Sequence, residues 1–153
     1  MKLTTRGEYA LRALQVLAAH HGGGVVAVEA VAREQNLPKR YLEQILGDLR
    51  TAGLVESRRG KAGGYRLARP PADIPLASII RQVDGALAPV GCVSTRFYEK
   101  CSCPDESRCA VRAVMKEARD AVAAVMERLT LADLVTEAAR LQKHPLESVD
   151  FQI

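Results

Sequence analysis

Residues 28 to 67 constrain the fold most tightly: two amphipathic segments meet at Asn36-Leu37-Pro38 and run at once into two strand-like stretches around a basic, glycine-rich turn. Val28, Val31 and Ala32 give residues 28–35 the spacing of a short helix. From Pro38 to Ala52, Leu42, Ile45, Leu46 and Leu49 fall at i, i+3, i+4 and i+7, and Gly53 stands where a left-handed cap ends a helix. At about 100° per residue, Arg40, Gln44, Gly47 and Thr51 lie opposite that apolar stripe. The outer face is long-armed and polar, with a glycine that permits close approach to another surface. Leu54-Val55-Glu56-Ser57 and Tyr65-Arg66-Leu67 then read as strands around Arg58-Arg59-Gly60-Lys61-Ala62-Gly63-Gly64. A helix pair followed by a basic hairpin is the pattern of a winged helix-turn-helix. An ordinary helical hairpin with a solvated turn is the plainer alternative.

Charge favours the first reading. Residues 1–70 carry twelve Lys/Arg against six Asp/Glu, and the remainder ten against twelve, so the overall +4 conceals a basic amino-terminal half. Trp is absent and Phe occurs only at 97 and 151, which leaves little material for stacking the bases of single strands. Upstream, Thr5-Arg6-Gly7-Glu8 has the form of a capping box, and apolar residues from Tyr9 to Leu17 recur at helical spacing until Gly22-Gly23-Gly24. Neither a signal-peptide core nor a run of transmembrane length is present, which predicts a cytoplasmic protein without membrane contact.

All four cysteines, Cys92, Cys101, Cys103 and Cys109, fall in one polar, proline-containing stretch. Under reducing conditions such a cluster points to metal or redox chemistry more than to a permanent disulfide frame. Pro70-Pro71 marks the exit from the winged unit, Leu76 to Val83 predicts a short helix, and the cysteine loop follows. Beyond it, Val111, Met115, Ala118, Val122, Val125 and Leu129 alternate steps of four and three, the seam of a helix that pairs with another helix. Thr130-Leu131-Ala132-Asp133 starts a last helix through Leu141. The expected fold is mainly α with a small β-hairpin wing. Residues 1–69 form a winged helix-turn-helix DNA-binding domain, 70–109 a connecting helix and cysteine-rich sensor loop, 110–143 a dimerisation helix with a short following helix, and 144–153 a tail.

Several strings resemble the Rrf2 family of bacterial winged-helix regulators, of the IscR and NsrR kind. They are Met1-Lys2-Leu3-Thr4-Thr5-Arg6-Gly7-Glu8-Tyr9-Ala10, Tyr41-Leu42-Glu43-Gln44-Ile45-Leu46, and Leu54 to Gly60 with Gly63-Gly64-Tyr65. Ile79-Ile80-Arg81-Gln82-Val83-Asp84 and Leu129-Thr130-Leu131-Ala132-Asp133-Leu134 echo later parts of the family. The resemblance implies a homodimer through residues 110–129 and recognition helices in successive major grooves of a double-stranded operator. It also implies operator affinity set by an iron-sulfur cluster, 2Fe-2S or 4Fe-4S. Cluster-binding members share three cysteines, the last two separated by five residues, a pattern matched by Cys92, Cys103 and Cys109. Where IscR-like members place a histidine ligand three residues after the last cysteine, this chain has Arg112, which cannot ligate. The fourth ligand is then Cys101 or, as in NsrR-like members, Glu8 from the partner subunit.

Three alternatives stay open: a cluster-free thiol switch pairing Cys101 or Cys103 with Cys92 or Cys109, a zinc site using all four thiolates, and, last, a thiol-dependent enzyme. The spacing lacks Cys-x-x-Cys knuckles, and no histidine neighbours the cysteines in sequence. Within the DNA-binding reading, Arg40, Gln44 and Arg59 are the candidates for base readout, with Tyr41 beside them, and Arg58 and Lys61 for backbone contacts.

Overall fold

Helix α1 (Thr5–Ala19) is the axis on which the other elements pack, and it buries Ala10, Ala13, Leu14, Val16, Leu17 and Ala18. Its start corrects the expected capping box. The N-cap is Thr4, whose hydroxyl accepts from Gly7 N–H at 3.0 Å, while Glu8 extends along the surface to Arg12 at 3.3 Å. Thr4 wins because Asp84 holds it from outside, accepting from its backbone N–H at 2.9 Å and from its hydroxyl. The computed structural model describes residues 3–146, so most of the sequence-assigned tail 144–153 lies outside the described residues.

Helix α2 (Val28–Gln35) stops at Asn36, which takes the left-handed conformation at φ 50° and lets the chain turn directly into α3 (Lys39–Thr51). Leu42, Ile45, Leu46 and Leu49 of α3 are fully enclosed, as their spacing predicts, and Gly53 has the expected positive φ of 73°. Strands β1 (Val55–Arg58) and β2 (Gly64–Leu67) pair antiparallel, with Val55 opposite Leu67 at the buried base and Arg58 opposite Gly64 near the tip. A third segment joins them: Val26 exchanges two backbone hydrogen bonds with Tyr65, at 2.8 and 2.9 Å. Gly64 is what permits this, since a Cβ there would sit 2.2 Å from the Val26 carbonyl oxygen.

Helix α4 (Leu76–Val83) buries Leu76, Ala77, Ile79 and Ile80. The cysteine loop leads from it to α5 (Ala110–Arg128), and α6 (Leu131–Lys143) returns to pack on α1. Thr130 and Asp133 form a complete capping box at the start of α6. Hydrogen bonds from Leu76 N–H to Leu129 O at 2.8 Å and from Leu131 N–H to Ile74 O at 3.0 Å sew this return to the front of α4, and Leu131 joins the same core as α1 and α3.

Helix α5 has no fully buried residue. The seam expected along it divides between two faces. Val122, Met126 and Leu129 turn toward their own chain. Val111, Val114 and Val125 are 65%, 59% and 41% exposed, and with exposed Ala118 and Ala121 they form a continuous apolar stripe at steps of three and four.

Candidate nucleic-acid interface and cysteine loop

The outer face of α3 presents Arg40 and Gln44 to solvent beside Gly47, where no atom lies within 4 Å of a Cβ position. Tyr41 sits differently: half-buried, it sets its ring edge-on to Tyr9 at 5.8 Å, and Arg12 lies over the Tyr9 ring at 5.7 Å. Its aromatic body steadies the helix against α1. Lys39, the first residue of α3, pairs with Glu29 at 2.6 Å and Glu43 at 3.6 Å, clamping α3 to the first turn of α2. Glu29 hydrogen-bonds the ammonium and is held below the ordinary carboxylate range, and Lys39 is raised in turn.

Arg58, Arg59 and Lys61 are exposed on the wing. Among the described residues the ion pairs leave these three and Arg40 free, whereas Arg66 is held across the hairpin by Glu56 at 2.7 Å and Arg6 is held by Asp48. A concavity of about 370 Å³ lies between α2, α3 and the wing and is lined by Glu29, Glu43, Arg50, Arg58 and Arg59 among others. Arg50, absent from the sequence-based candidates, donates to Ser57 Oγ at 3.2 Å and ties the end of α3 to the wing. It lies seven residues after Glu43 on the same flank of the helix, a spacing visible in the sequence.

The cysteine loop is ordered by a carboxylate. Glu106 accepts from the Tyr98 hydroxyl at 2.8 and 2.9 Å and from Cys101 N–H at 3.3 Å, with Arg112 3.9 Å away. The Tyr98 hydrogen bond pulls the Glu106 carboxyl below its ordinary value and pushes the Tyr98 phenol up. Arg112 also donates to the Cys92 carbonyl at 3.3 Å. Cys92 is buried in a short turn, Gly91–Val93, and Cys109 is the N-cap of α5, its sulfur accepting from Arg112 N–H at 3.4 Å.

The sulfurs of Cys101 and Cys103 lie side by side, apart from those of Cys92 and Cys109. Cys92 is enclosed, and Cys109 is engaged at the helix start. Among the described residues no three Cys, His, Asp or Glu side chains stand together as a metal site, so neither the four-thiolate zinc arrangement nor the three-cysteine set is assembled here. Glu8, the other candidate ligand, is exposed and engaged only by Arg12 among the described residues.

Residues 3–137 match the family described as Rrf2, iron-dependent transcriptional regulator. The chain belongs to the Rrf2 family. An Rrf2-like helix-turn-helix transcriptional regulator of Rhodobacter capsulatus is 38% identical over 137 residues, which cover 87% of this chain and 91% of that protein. Among solved structures, CymR of Bacillus subtilis, described as the global cysteine regulator, superposes with a TM-score of 0.76 at 36% identity, over 90% of this chain and 98% of that one. IscR of T. potens gives 0.73 at 34% identity, over 93% and 91%. As an Rrf2 protein the chain is a transcriptional regulator with a DNA-binding winged helix, and its relatives are regulators, not enzymes. No helix among the described residues is long and apolar enough to cross a membrane.

Proposed function

We propose that this Rrf2 protein is a cytoplasmic, homodimeric regulator in which residues 1–69 bind operator DNA, 70–109 sense, and 110–143 pair the subunits. In this reading Arg40, Gln44 and Arg59 read base edges while Arg58 and Lys61 hold phosphates. Pairing is supported by the exposed stripe of Val111, Val114, Ala118, Ala121 and Val125, an apolar seam of coiled-coil spacing on a 19-residue helix.

The sensing element is an iron-sulfur cluster held by Cys92, Cys103 and Cys109, completed by the partner subunit's Glu8 or by Cys101. Donor chemistry fits, because three or four thiols share one loop. When bound, the cluster supplies a centre that reacts with oxidants and nitric oxide. One observation carries the reading: Cys109 sulfur caps α5, and Arg112 of the first turn of α5 grips the Cys92 carbonyl. Any event that takes the Cys109 sulfur off that amide loosens the start of the pairing helix, and with it the spacing of two winged units. That is a two-state element with different contacts at the sulfur in each state.

Iron and acid-labile sulfide analysis of protein purified without oxygen tests the assignment. Stoichiometric sulfide that is lost in Cys103→Ala supports it, and Cys101→Ala with Glu8→Ala assigns the fourth ligand. Colourless protein that resists reconstitution overturns it. A second reading, a thiol switch, is favoured by the closeness of the Cys101 and Cys103 sulfurs.

A further inference from the structure

We propose that the cavity between α4, α5 and the start of the cysteine loop is a binding site for a small anion bearing a carboxylate or phosphate group. The cavity measures about 280 Å³ and is lined by Arg81 of α4, Arg119 of α5 and Arg96 of the loop. Its size is close to the low end of the roughly 300–1,000 Å³ usual for small-molecule sites. Two of the guanidinium groups are largely withdrawn from solvent: the side chains of Arg81 and Arg119 are 18% and 12% exposed. Burying long cations is costly without hydrogen-bonded partners, and each here has a single carboxylate, Glu127 for Arg81 at 2.5 Å and Asp120 for Arg119 at 2.8 Å. Asp120 lies out of line for a hydrogen bond. Arg119 Nε is the one enclosed side-chain nitrogen or oxygen among the described residues that has no hydrogen-bond partner. Three guanidinium groups against two carboxylates leave the cavity positive, and Ser94 and Thr95 add hydroxyls at its edge. An anion in the cavity would meet the guanidinium groups of Arg96 and Arg119, in the paired geometry that guanidinium groups offer to carboxylate and phosphate oxygens.

Position makes the site regulatory. Arg81, Arg96 and Phe97 also line a neighbouring cavity that reaches Leu54 and Arg69 of the winged unit. Arg96 and Phe97 are thus a wedge between the anion site and the DNA-binding domain. On α5, Arg119, Ala123 and Glu127 follow at steps of four, and at about 100° per residue they face roughly opposite to Val114, Ala118 and Val125. Pairing through the exposed stripe leaves the cavity open. This inference does not depend on a cluster.

Calorimetric titration of the full chain with inorganic phosphate and, separately, with succinate tests it. Saturable binding of at least one probe at one site per chain is expected, weakened about tenfold or more by Arg119→Met and by Arg96→Ser, and untouched by Arg33→Ser on the exposed face of α2. Arg96 is exposed, so its replacement keeps the test valid even where the Arg119 variant fails to fold. No saturation by either probe at millimolar concentration overturns the proposal, as does binding that survives Arg96→Ser or disappears with Arg33→Ser.

Discussion

Gly47→Ala separates what α3 needs to fold from what it needs to bind. The backbone at Gly47 is not among the positive-φ positions, and a Cβ there meets no atom within 4 Å, so alanine enters without strain. Alanine is more favourable than glycine inside a helix by about 0.8–1.0 kcal/mol. For a chain of this length that raises the melting temperature by roughly 2–4 °C. The same methyl stands on the outer face with Arg40, Gln44 and Thr51, where the helix meets the groove if this face docks. Overpacking a closely fitted contact costs typically 1–3 kcal/mol, or about 5- to 150-fold in affinity. The salt dependence of binding should not change, because no charge is removed. Thermal unfolding and fluorescence anisotropy on an operator recovered by selection from random duplexes, at several salt concentrations, measure all three quantities. A more stable variant that binds the operator as tightly as the parent would refute docking through this face, and a less stable one would refute the helical geometry.

Gly64→Ala should release the wing: its Cβ would lie 2.2 Å from the Val26 carbonyl oxygen, and losing the two Val26–Tyr65 hydrogen bonds costs about 1–3 kcal/mol. The slope of log affinity against log salt should flatten by about 0.9 for each phosphate contact that Arg58, Arg59 or Lys61 loses, and an unchanged slope would count against the wing as a phosphate clamp. The order of the cysteine loop should depend on pH on both sides. Glu106 is lowered in the fold, so its contribution is complete above the ordinary glutamate value of 4.5 and is lost as pH falls through the lowered value. Tyr98 is raised, so its contribution is complete below 10.0 and is lost as pH rises through the raised value. Hydrogen exchange of residues 94–108 reads this, and a Glu106→Gln variant with an unaltered acid limb would contradict it. Val114→Asp, at a position 59% exposed, should halve the mass in light scattering while leaving the subunit folded; an unchanged mass would remove α5 from the dimer interface.

Elements with local causes were legible in the sequence. Helix α3 follows from the spacing of Leu42, Ile45, Leu46 and Leu49, and the wing from a glycine-rich basic turn between β-formers, with boundaries displaced by one residue. Causes distant in sequence were not. The expected capping box began at Thr5, whereas the N-cap is Thr4, held by Asp84 eighty residues away. Val26 joins the wing through a single bridge, too short to leave an alternating pattern. The α5 seam split because one helical face can serve α4 while its neighbour stays free, and apolar spacing alone marks both. Four clustered thiols announced chemistry without announcing partners, and the closeness of the Cys101 and Cys103 sulfurs is a matter of loop geometry. The guanidinium groups of Arg81, Arg96 and Arg119 come from three separate segments, so no motif joins them.

The central claim is that the state of the cysteine loop sets DNA affinity. It is tested most directly by operator titrations on one oxygen-free preparation, as purified, after iron removal, and after reconstitution with iron and sulfide. Affinity should change by about tenfold or more on iron removal, corresponding to a coupling of about 1.4 kcal/mol, and should return on reconstitution. Cys103→Ala should lock the protein at the iron-free value. Three coincident titration curves would contradict the account.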